Sequence, residues 1–190
     1  MLHSDKLIHQ KMELHTKRLA MHELSMTDLA DIHELHSQVE TDRYNTLGIP
    51  DSLQTTERLL TEWMNQQTAT PRLSYIFPIR AKETSEFIGL IALTIGKPNF
   101  NLAEVWYKIH PAYWRQGYAT EALTGMLTYG FVTLKLHRIE AGCAVDNLAS
   151  GRVLEKAGMI KEGSKRKILP IRGEWVDSYF YSILETEFEK

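Results

Sequence analysis

The chain has 190 residues, of which 43% are hydrophobic and 24% charged, and its formal net charge is −2. This length and composition predict one globular domain over 1–190. The near-neutral charge excludes a general attraction to nucleic acid or to an anionic membrane as the basis of function.

The first half of the chain predicts one strand and two helices. The strand is expected at about 14–23, and the helices at about 27–37 and 53–66. Each helix begins beside residue types that cap helices, which are Thr27 or Asp28 in the first helix and Asp51 or Ser52 in the second.

Three strand-like runs follow, rich in β-branched and aromatic residues. They are LSYIFPIR (73–80), EFIGLIALTI (86–95) and AEVWYKI (103–109). Pro78 lies inside the first run and lacks a backbone N–H, so we expect this strand to be at an edge or to carry a bulge.

The second half predicts two helices that alternate with strands. From Ala119 the apolar residues recur at intervals of three and four as far as Leu134, the pattern of a helix with one buried face. The strand HRIEAGCAV (137–145) follows, and then a short helix in DNLASGRVLEKAG, capped by Asp146 or Asn147 and stopped at Gly158. Basic and turn residues at 161–167 lead to a last strand at about 174–184. This order of elements predicts a mixed sheet with helices on both faces.

The stretch WRQGYATEAL places two small residues, Gly117 and Ala119, at the start of the longer helix. Unpaired N–H groups and the helix dipole make such a start attractive to phosphate, provided that side chains do not obstruct it. The amides of residues 116–120 are therefore candidates for holding a pyrophosphate. The alternative is that Gly117 completes a tight turn and Ala119 packs the helix. The stretch is neither a Walker A loop nor a dinucleotide fingerprint.

Several spaced motifs resemble the GNAT family of N-acetyltransferases, and within it the RimJ/RimL-like branch that acetylates the N-termini of ribosomal proteins. Gly117 and Ala119 match the small positions of that family's acetyl-CoA motif, although Trp114 stands where arginine or glutamine is common. The D-N-x-x-S pattern at 146–150 precedes LEKAGM, where the family usually has LEKLGF. The opening TKRLAMHELSMTDLADIHELH also resembles the family's first strand and helix, so the resemblance covers roughly 14–185.

The resemblance implies how acetyl-CoA, the expected co-substrate, is held. In this family the strand before the phosphate loop and the strand after the long helix splay apart, and the pantetheine arm lies between them. Here those strands are about 103–109 and 137–145. The residues implied in cofactor binding are Ile109 through its backbone, Gln116, Gly117, Tyr118, Ala119 and Thr120 through their amides, and Asn147 through its side chain. The alternative for Asn147 is a plain helix cap.

Transfer of an acetyl group to an amine requires a proton acceptor, a stabilised oxyanion and a proton for the thiolate. Glu104 is the candidate base, by its match to a strand glutamate of the branch, and the alternative is a solvated carboxylate. Ser150 is the candidate acid, because its family position lies near the sulfur, and the alternative is that it only donates a helix hydrogen bond. An N–H near Tyr107 to Ile109 is the candidate oxyanion donor. Trp106 replaces a small residue of the family motif and is expected to reshape the acceptor pocket, and Tyr44 is a candidate substrate contact.

Other residues are assigned structural roles. His33 and His36 are three residues apart, but without further ligands at matching spacing they predict no metal site. The single cysteine, Cys143, excludes an internal disulfide and is expected to be a core residue. The basic stretch at 161–172 is expected to be a solvated loop, with contact to the phosphates of CoA or to an acidic partner as the alternative.

The sequence therefore predicts a cytoplasmic acetyl-CoA-dependent N-acetyltransferase that needs no metal. Residues 1–12 lack the apolar centre of a signal peptide, and no run is long enough to span a bilayer. The acceptor is expected to be a protein N-terminus or a small-molecule amine, and the protein a monomer or homodimer. The alternative function is a catalytically inactive acyl-CoA-binding or interaction module with the same fold.

Overall fold

The computed structural model describes residues 12–188, so the expectation about a leader within 1–12 falls, except for Met12, outside the described residues. The strands are β1 (Glu13–His15), β2 (Leu19–His22), β3 (Ser74–Ala81), β4 (Phe87–Ile95), β5 (Leu102–Ile109), β6 (Arg138–Ala144), β7 (Ile160–Ile171) and β8 (Glu174–Leu184). The helices are α1 (Leu29–Ser37), α2 (Val39–Asp42), α3 (Leu53–Gln67), α4 (Tyr118–Thr128) and α5 (Leu148–Lys156).

The eight strands of this described part of the chain form one sheet in the order β1-β2-β3-β4-β5-β6-β8-β7. Every neighbouring pair is antiparallel except β5 and β6, which are parallel. The predicted mixed, mostly antiparallel sheet is thus confirmed.

Helices cover both faces of this sheet, because its central strands are apolar on both sides. In β4, Ile91 and Leu93 belong to the larger buried cluster, which includes the apolar face of α4, whereas Leu90 and Ala92 pack with α1 and α3 in the smaller one. The spacing predicted after Ala119 is confirmed, since Ala122, Leu123, Met126 and Leu127 are fully buried. Within residues 12–188, no helix has both the length and the hydropathy to cross a bilayer.

The prediction of a single N-terminal strand at about 14–23 is wrong. Residues 13–22 form two short strands, β1 and β2, joined by a turn. The Thr16 N–H donates to the Leu19 carbonyl at 2.9 Å, and the Leu19 N–H donates to the Thr16 hydroxyl at 3.1 Å. The threonine side chain closes the turn and interrupts the strand.

The start of the first helix also differs from the prediction. Ser25 occupies the cap position of a short 3₁₀ turn, Met26–Asp28, which leads into α1. Asp28, one of the two predicted caps, occupies the cap position of α1, but its side chain makes no cap hydrogen bond there and its carboxylate accepts from the Ser25 N–H at 2.9 Å. For α3 the prediction is confirmed, because the Ser52 hydroxyl accepts from the Thr55 N–H at 3.3 Å. Helix α2 was not predicted.

The basic stretch at 161–172 is not a loop. Residues 160–171 form β7, an edge strand that pairs with β8 through backbone hydrogen bonds. Because nearly all its side chains are exposed, β7 has no buried apolar face for a pattern to reveal, and its lysines and arginines are typical of protected sheet edges.

Pro78 lies in an interior strand, since β3 is between β2 and β4. The expected bulge lies beside it, at Ile79 and Arg80, and the paired part of β2 stops opposite Ile79.

Gly89 in β4 marks a close approach of backbone to backbone. A Cβ atom there would lie 2.2 Å from the Lys108 carbonyl oxygen and 2.9 Å from the Ile109 Cα. We expect Gly89→Ala to lower the free energy of unfolding by about 2 kcal/mol, because β4 and β5 must separate to admit the methyl group. Urea unfolding measures this. As a matched control, Gly163→Ala in β7, where a Cβ meets nothing within 4 Å, should change stability by less than about 0.5 kcal/mol. Equal effects would contradict the expectation.

Candidate active site

The parallel strands β5 and β6 pair over only a short stretch. Leu102, Ala103 and Glu104 pair with Arg138, Ile139 and Glu140, and the pairing stops there although both strands continue. Beyond Glu104 the sheet therefore contains a gap, which opens toward the turn before α4. This is the splay that the sequence predicts.

Backbone groups of β5 point into this gap. The His110 N–H donates to the Ile88 carbonyl and the Gly96 N–H to the Leu102 carbonyl, each at 2.9 Å, so the even-numbered residues of β5 bond to β4. In an antiparallel ladder the alternate residues then direct their N–H and C=O groups to the other side. Val105, Tyr107 and Ile109 therefore face the gap. The carbonyl of Ile109 already accepts a hydrogen bond from the Trp114 indole N–H at 2.7 Å.

The predicted phosphate loop lies at the open end of the gap. Gly117 precedes α4 with φ 80° and ψ 0°, a left-handed conformation that favours glycine. The first backbone hydrogen bond of α4 runs from the Glu121 N–H to the Gly117 carbonyl at 3.0 Å. The amides of Tyr118, Ala119 and Thr120 precede it and so have no acceptor within the helix. The side chain of Gln116 turns away and donates to the Ala112 carbonyl at 3.0 Å.

Arg18, in the turn between β1 and β2, ties the N-terminal hairpin to this loop. Its backbone N–H and its Nε each donate to the Glu121 carboxylate at 2.6 Å, and its Nη1 donates to the Gln116 carbonyl at 3.1 Å. The Thr16 hydroxyl adds a third bond to Glu121 at 2.6 Å. Sequence reasoning missed this tether because the partners are about a hundred residues apart, and no local spacing signals it.

Hydroxyl groups collect on the α5 side of the gap. The Tyr107 hydroxyl lies 2.8 Å from the Ser150 Oγ, and burial raises the pKa of Tyr107 well above its usual value. The Asn147 Oδ1 accepts from the Ser150 N–H at 3.2 Å, so Asn147 caps α5 as its alternative role predicted, through its oxygen only. The structure thus brings together Tyr107, Ser150 and Asn147, of which the tyrosine side chain was not singled out from the sequence.

Carboxylates occupy the opposite face of the sheet, at the closed end of the gap. Glu104 and Glu140 are paired neighbours on β5 and β6, and their side chains lie on the face opposite the buried Ala103 and Ile139. Although Glu104 is exposed, the loss of water around its carboxyl group and then the charge of Glu140 raise its pKa, while Lys165 lowers it. Sequence reasoning named Glu104 and missed Glu140.

An apolar cavity of about 460 Å³ lies on this same face, between the end of α3 and the sheet. Trp63 of α3 and Trp106 of β5 both line it, with their ring centroids 6.1 Å apart. Tyr44 does not line this cavity; it is half-buried in the segment after α2, with the Arg43 guanidinium 5.3 Å from its ring. Trp106 thus lines an apolar cavity and Tyr44 does not, and their contact with an acceptor stays a prediction.

A buried polar cluster lies nearby under the turn between β7 and β8. Arg172 in that turn donates to the Asp42 carboxylate at 3.1 Å. Burial, and then the charges of Lys108 and His33, lower the pKa of His36 to about 3. Burial also lowers the pKa of Lys108 to about 8, although the charge of Asp42 acts in the opposite direction. Within residues 12–188, His36 Nε2, Asp42 Oδ1 and Lys108 Nζ are buried without a hydrogen-bond partner.

The remaining candidates have structural positions. Cys143 is buried in the larger cluster, and burial raises the pKa of its thiol. His33 lies 2.8 Å from the Thr56 hydroxyl, and His36 packs edge-on against Trp63. In the part of the chain that the structure describes, no three His, Cys, Asp or Glu side chains are grouped to hold a metal ion.

Known proteins are similar to this chain in sequence and in fold. Residues 18–160 match the model of the acetyltransferase (GNAT) domain. The chain is 33% identical to YnaD of Bacillus subtilis, an uncharacterized N-acetyltransferase, over 93% of this chain and 99% of the relative. The crystal structure of a GNAT-family acetyltransferase from Bacillus anthracis superposes with a TM-score of 0.81 at 31% identity, covering 93% of this chain and all of the other.

The ribosomal branch is represented over about half of the chain. The [ribosomal protein uS5]-alanine N-acetyltransferase of Escherichia coli is 30% identical over 105 residues, which are 55% of this chain and 54% of that enzyme. The family model, YnaD and the Bacillus anthracis structure match a much larger part of the chain, which includes the split sheet and the loop at Gly117. They show that the chain belongs to the GNAT family of acetyltransferases.

Proposed function

We propose that this enzyme transfers the acetyl group of acetyl-CoA, the co-substrate of its family, directly to a primary amine. The observation that carries this proposal is the gap between β5 and β6, which leads from the carboxylate of Glu104 to the unpaired amides after Gly117. The reaction is a direct transfer in a ternary complex, and its chemistry calls for no metal.

The cofactor is proposed to fill the gap as an additional strand. The pantetheine arm pairs with the backbone groups of β5, including those of Ile109, and the Asn147 side chain donates its amide N–H to a pantetheine carbonyl. The amides of residues 116–120 surround the pyrophosphate, supported by the left-handed turn at Gly117. The Trp114 indole, which holds the Ile109 carbonyl, keeps the end of β5 against this loop.

The chemistry is divided between the two faces of the sheet. Glu104 takes a proton from the acceptor ammonium, and the electron pair left on nitrogen forms the bond to the acetyl carbon. A backbone N–H in the segment from Tyr107 to Ile109 stabilises the oxyanion. As the C–S bond breaks, the electron pair leaves with sulfur, and Ser150 supplies its proton and regains one from the attacking nitrogen through solvent.

The acceptor is proposed to approach from the face that carries Glu104 and Trp106. A protein N-terminus and a small-molecule amine both present the required nitrogen, and Tyr44 is proposed to contact the part of the acceptor that extends away from the gap. An inactive acyl-CoA-binding module has less support, because hydroxyl and carboxylate groups flank the gap on opposite faces. A cytoplasmic monomer or homodimer completes the proposal.

Incubating the protein with acetyl-CoA and a panel of amines tests this function. The panel holds N-terminal peptides, a polyamine, an aminoglycoside and amino acids, and free thiol is measured as CoA is released. We expect release to depend on an amine and to be matched by acetylated product in the mass spectrum. CoA affinity in calorimetry together with no amine-dependent release across the panel would favour the inactive module.

A further inference from the structure

Glu140 of β6 is the residue that pairs with Glu104, the proposed base, on β5. Adjacent residues of paired strands have their side chains on the same face and close together. Glu104 and Glu140 are the last such pair before β5 and β6 separate. The loss of water around the Glu104 carboxyl group, and then the charge of Glu140, raise the pKa of Glu104, so Glu104 holds a proton more readily than an isolated carboxylate does.

Glu140 is itself held in place by a network. The Arg138 Nε donates to the Glu140 carboxylate at 2.7 Å, and the Arg138 Nη1 donates to Glu162 of β7 at 2.9 Å. Glu162 also accepts from the Ser182 hydroxyl at 2.8 Å. These hydrogen bonds hold the Glu140 side chain in one orientation at the closed end of the gap.

We propose that Glu140 is a positioning residue for Glu104. Together they form a carboxylate pair that attracts a protonated amine to the closed end of the gap and accepts the proton that the amine loses. The inference rests on the proposed function, and it names the acceptor as a cationic amine.

The proton transfer balances within the pair and the acceptor. The acceptor R–NH₃⁺ loses one proton to Glu104, which becomes a neutral acid, and the nitrogen retains the electron pair that attacks the acetyl carbon. Glu140 stabilises the neutral form of Glu104, because protonation of Glu104 ends the repulsion between the two carboxylates. Lys165 of β7 also acts on Glu104 and lowers its pKa, whereas β4 presents Thr94 beside it. Arg138 of β6 bonds to Glu140 and to Glu162 of β7.

Glu140→Gln tests this inference, because glutamine keeps the shape and can still accept from Arg138. The matched control is Glu162→Gln, which removes a charge from the same arginine but not the paired neighbour of Glu104. Two readouts are compared in the full chain: the titration of the Glu104 carboxyl carbon by NMR, and the pH profile of kcat/KM for the acceptor.

We expect Glu140→Gln to lower the pKa of Glu104, because a repelling charge is gone, and to move the acid limb of the pH profile to lower pH. The plateau of kcat/KM for the acceptor should fall about fivefold at low salt, and less as salt screens the charge. Acetyl-CoA affinity should stay near wild type in both variants, and the Glu162 control should shift the Glu104 titration and the acid limb less than Glu140→Gln does, because it leaves the charge paired with Glu104 in place.

An unchanged Glu104 titration in Glu140→Gln would overturn the inference whatever the activity. A shifted Glu104 titration together with an unchanged acid limb in the pH profile of kcat/KM would also overturn the inference, since Glu140 would then act on a carboxylate that the reaction does not use. Absence of amine-dependent turnover in the wild type would refute the proposed function instead, and the NMR titration would still decide whether the two carboxylates are paired.

Discussion

Replacing Gly117 by valine is expected to weaken acetyl-CoA binding by at least about 100-fold while the sheet stays folded. That loss equals one or two hydrogen bonds to a charged group, each worth about 1.5–3 kcal/mol. Gly117 has φ 80° and immediately precedes the amides proposed to hold the pyrophosphate. A β-branched residue in this conformation carries about 1–3 kcal/mol of strain, which the loop relieves by turning its amides away.

Isothermal titration with acetyl-CoA measures the loss, and circular dichroism verifies the fold. Gly173→Val is the matched control, because Gly173 has nearly the same φ, +81°, in the turn between β7 and β8. The control should show the strain as lower stability and bind acetyl-CoA like the wild type. Unchanged affinity in folded Gly117→Val would remove the loop from the site.

The second large effect is expected at Glu104. Glu104→Gln keeps the shape of the side chain and removes its basicity, so turnover near neutral pH should fall by about 100-fold, the scale of general-base contributions. Acetyl-CoA should still bind, because its proposed ligands are backbone amides and Asn147. Steady-state kinetics measure the fall, and Glu83→Gln, the same change in the turn between β3 and β4, should leave turnover unaltered.

The pH dependence separates a base from a binding group. The loss of water around the Glu104 carboxyl group and the charge of Glu140 raise the pKa of Glu104. Because a base acts only when it is deprotonated, wild-type turnover should rise with pH through that raised pKa. The Glu104→Gln variant should lack this limb, and its defect should shrink at high pH, where the free amine needs no base. An equal defect at every pH would show that Glu104 orients the acceptor instead.

Elements with a buried face could be predicted from the sequence. Helix α4 shows one apolar stripe, and β4 is apolar along most of its length because helices cover both its faces. The edge strand β7 has neither signal, since its charged side chains are solvated and its pairing is through the backbone. The N-terminal hairpin was merged into one strand because a single side chain, that of Thr16, makes its turn.

The site divides in the same way. Gly117, Ala119 and Asn147 carry local patterns, so the turn before α4 and the cap of α5 could be predicted from the sequence, whereas their binding of acetyl-CoA stays a prediction. Glu140 has no local pattern, because its significance depends on which residue of β5 pairs with it. Register between strands far apart in the chain is decided by the packing of the whole sheet, and no short motif records it.

The break between β5 and β6 leaves the sheet incomplete in its interior. Val105, Tyr107 and Ile109 present backbone groups there with no strand opposite them, which is the kind of surface that recruits foreign strands. In the proposed complex the pantetheine arm completes the ladder, so occupancy and folding stability become thermodynamically linked. Each tenfold excess of acetyl-CoA over its dissociation constant then adds about 1.4 kcal/mol to the free energy of unfolding. The cellular supply of acetyl-CoA would thus govern the lifetime of the enzyme as well as its rate.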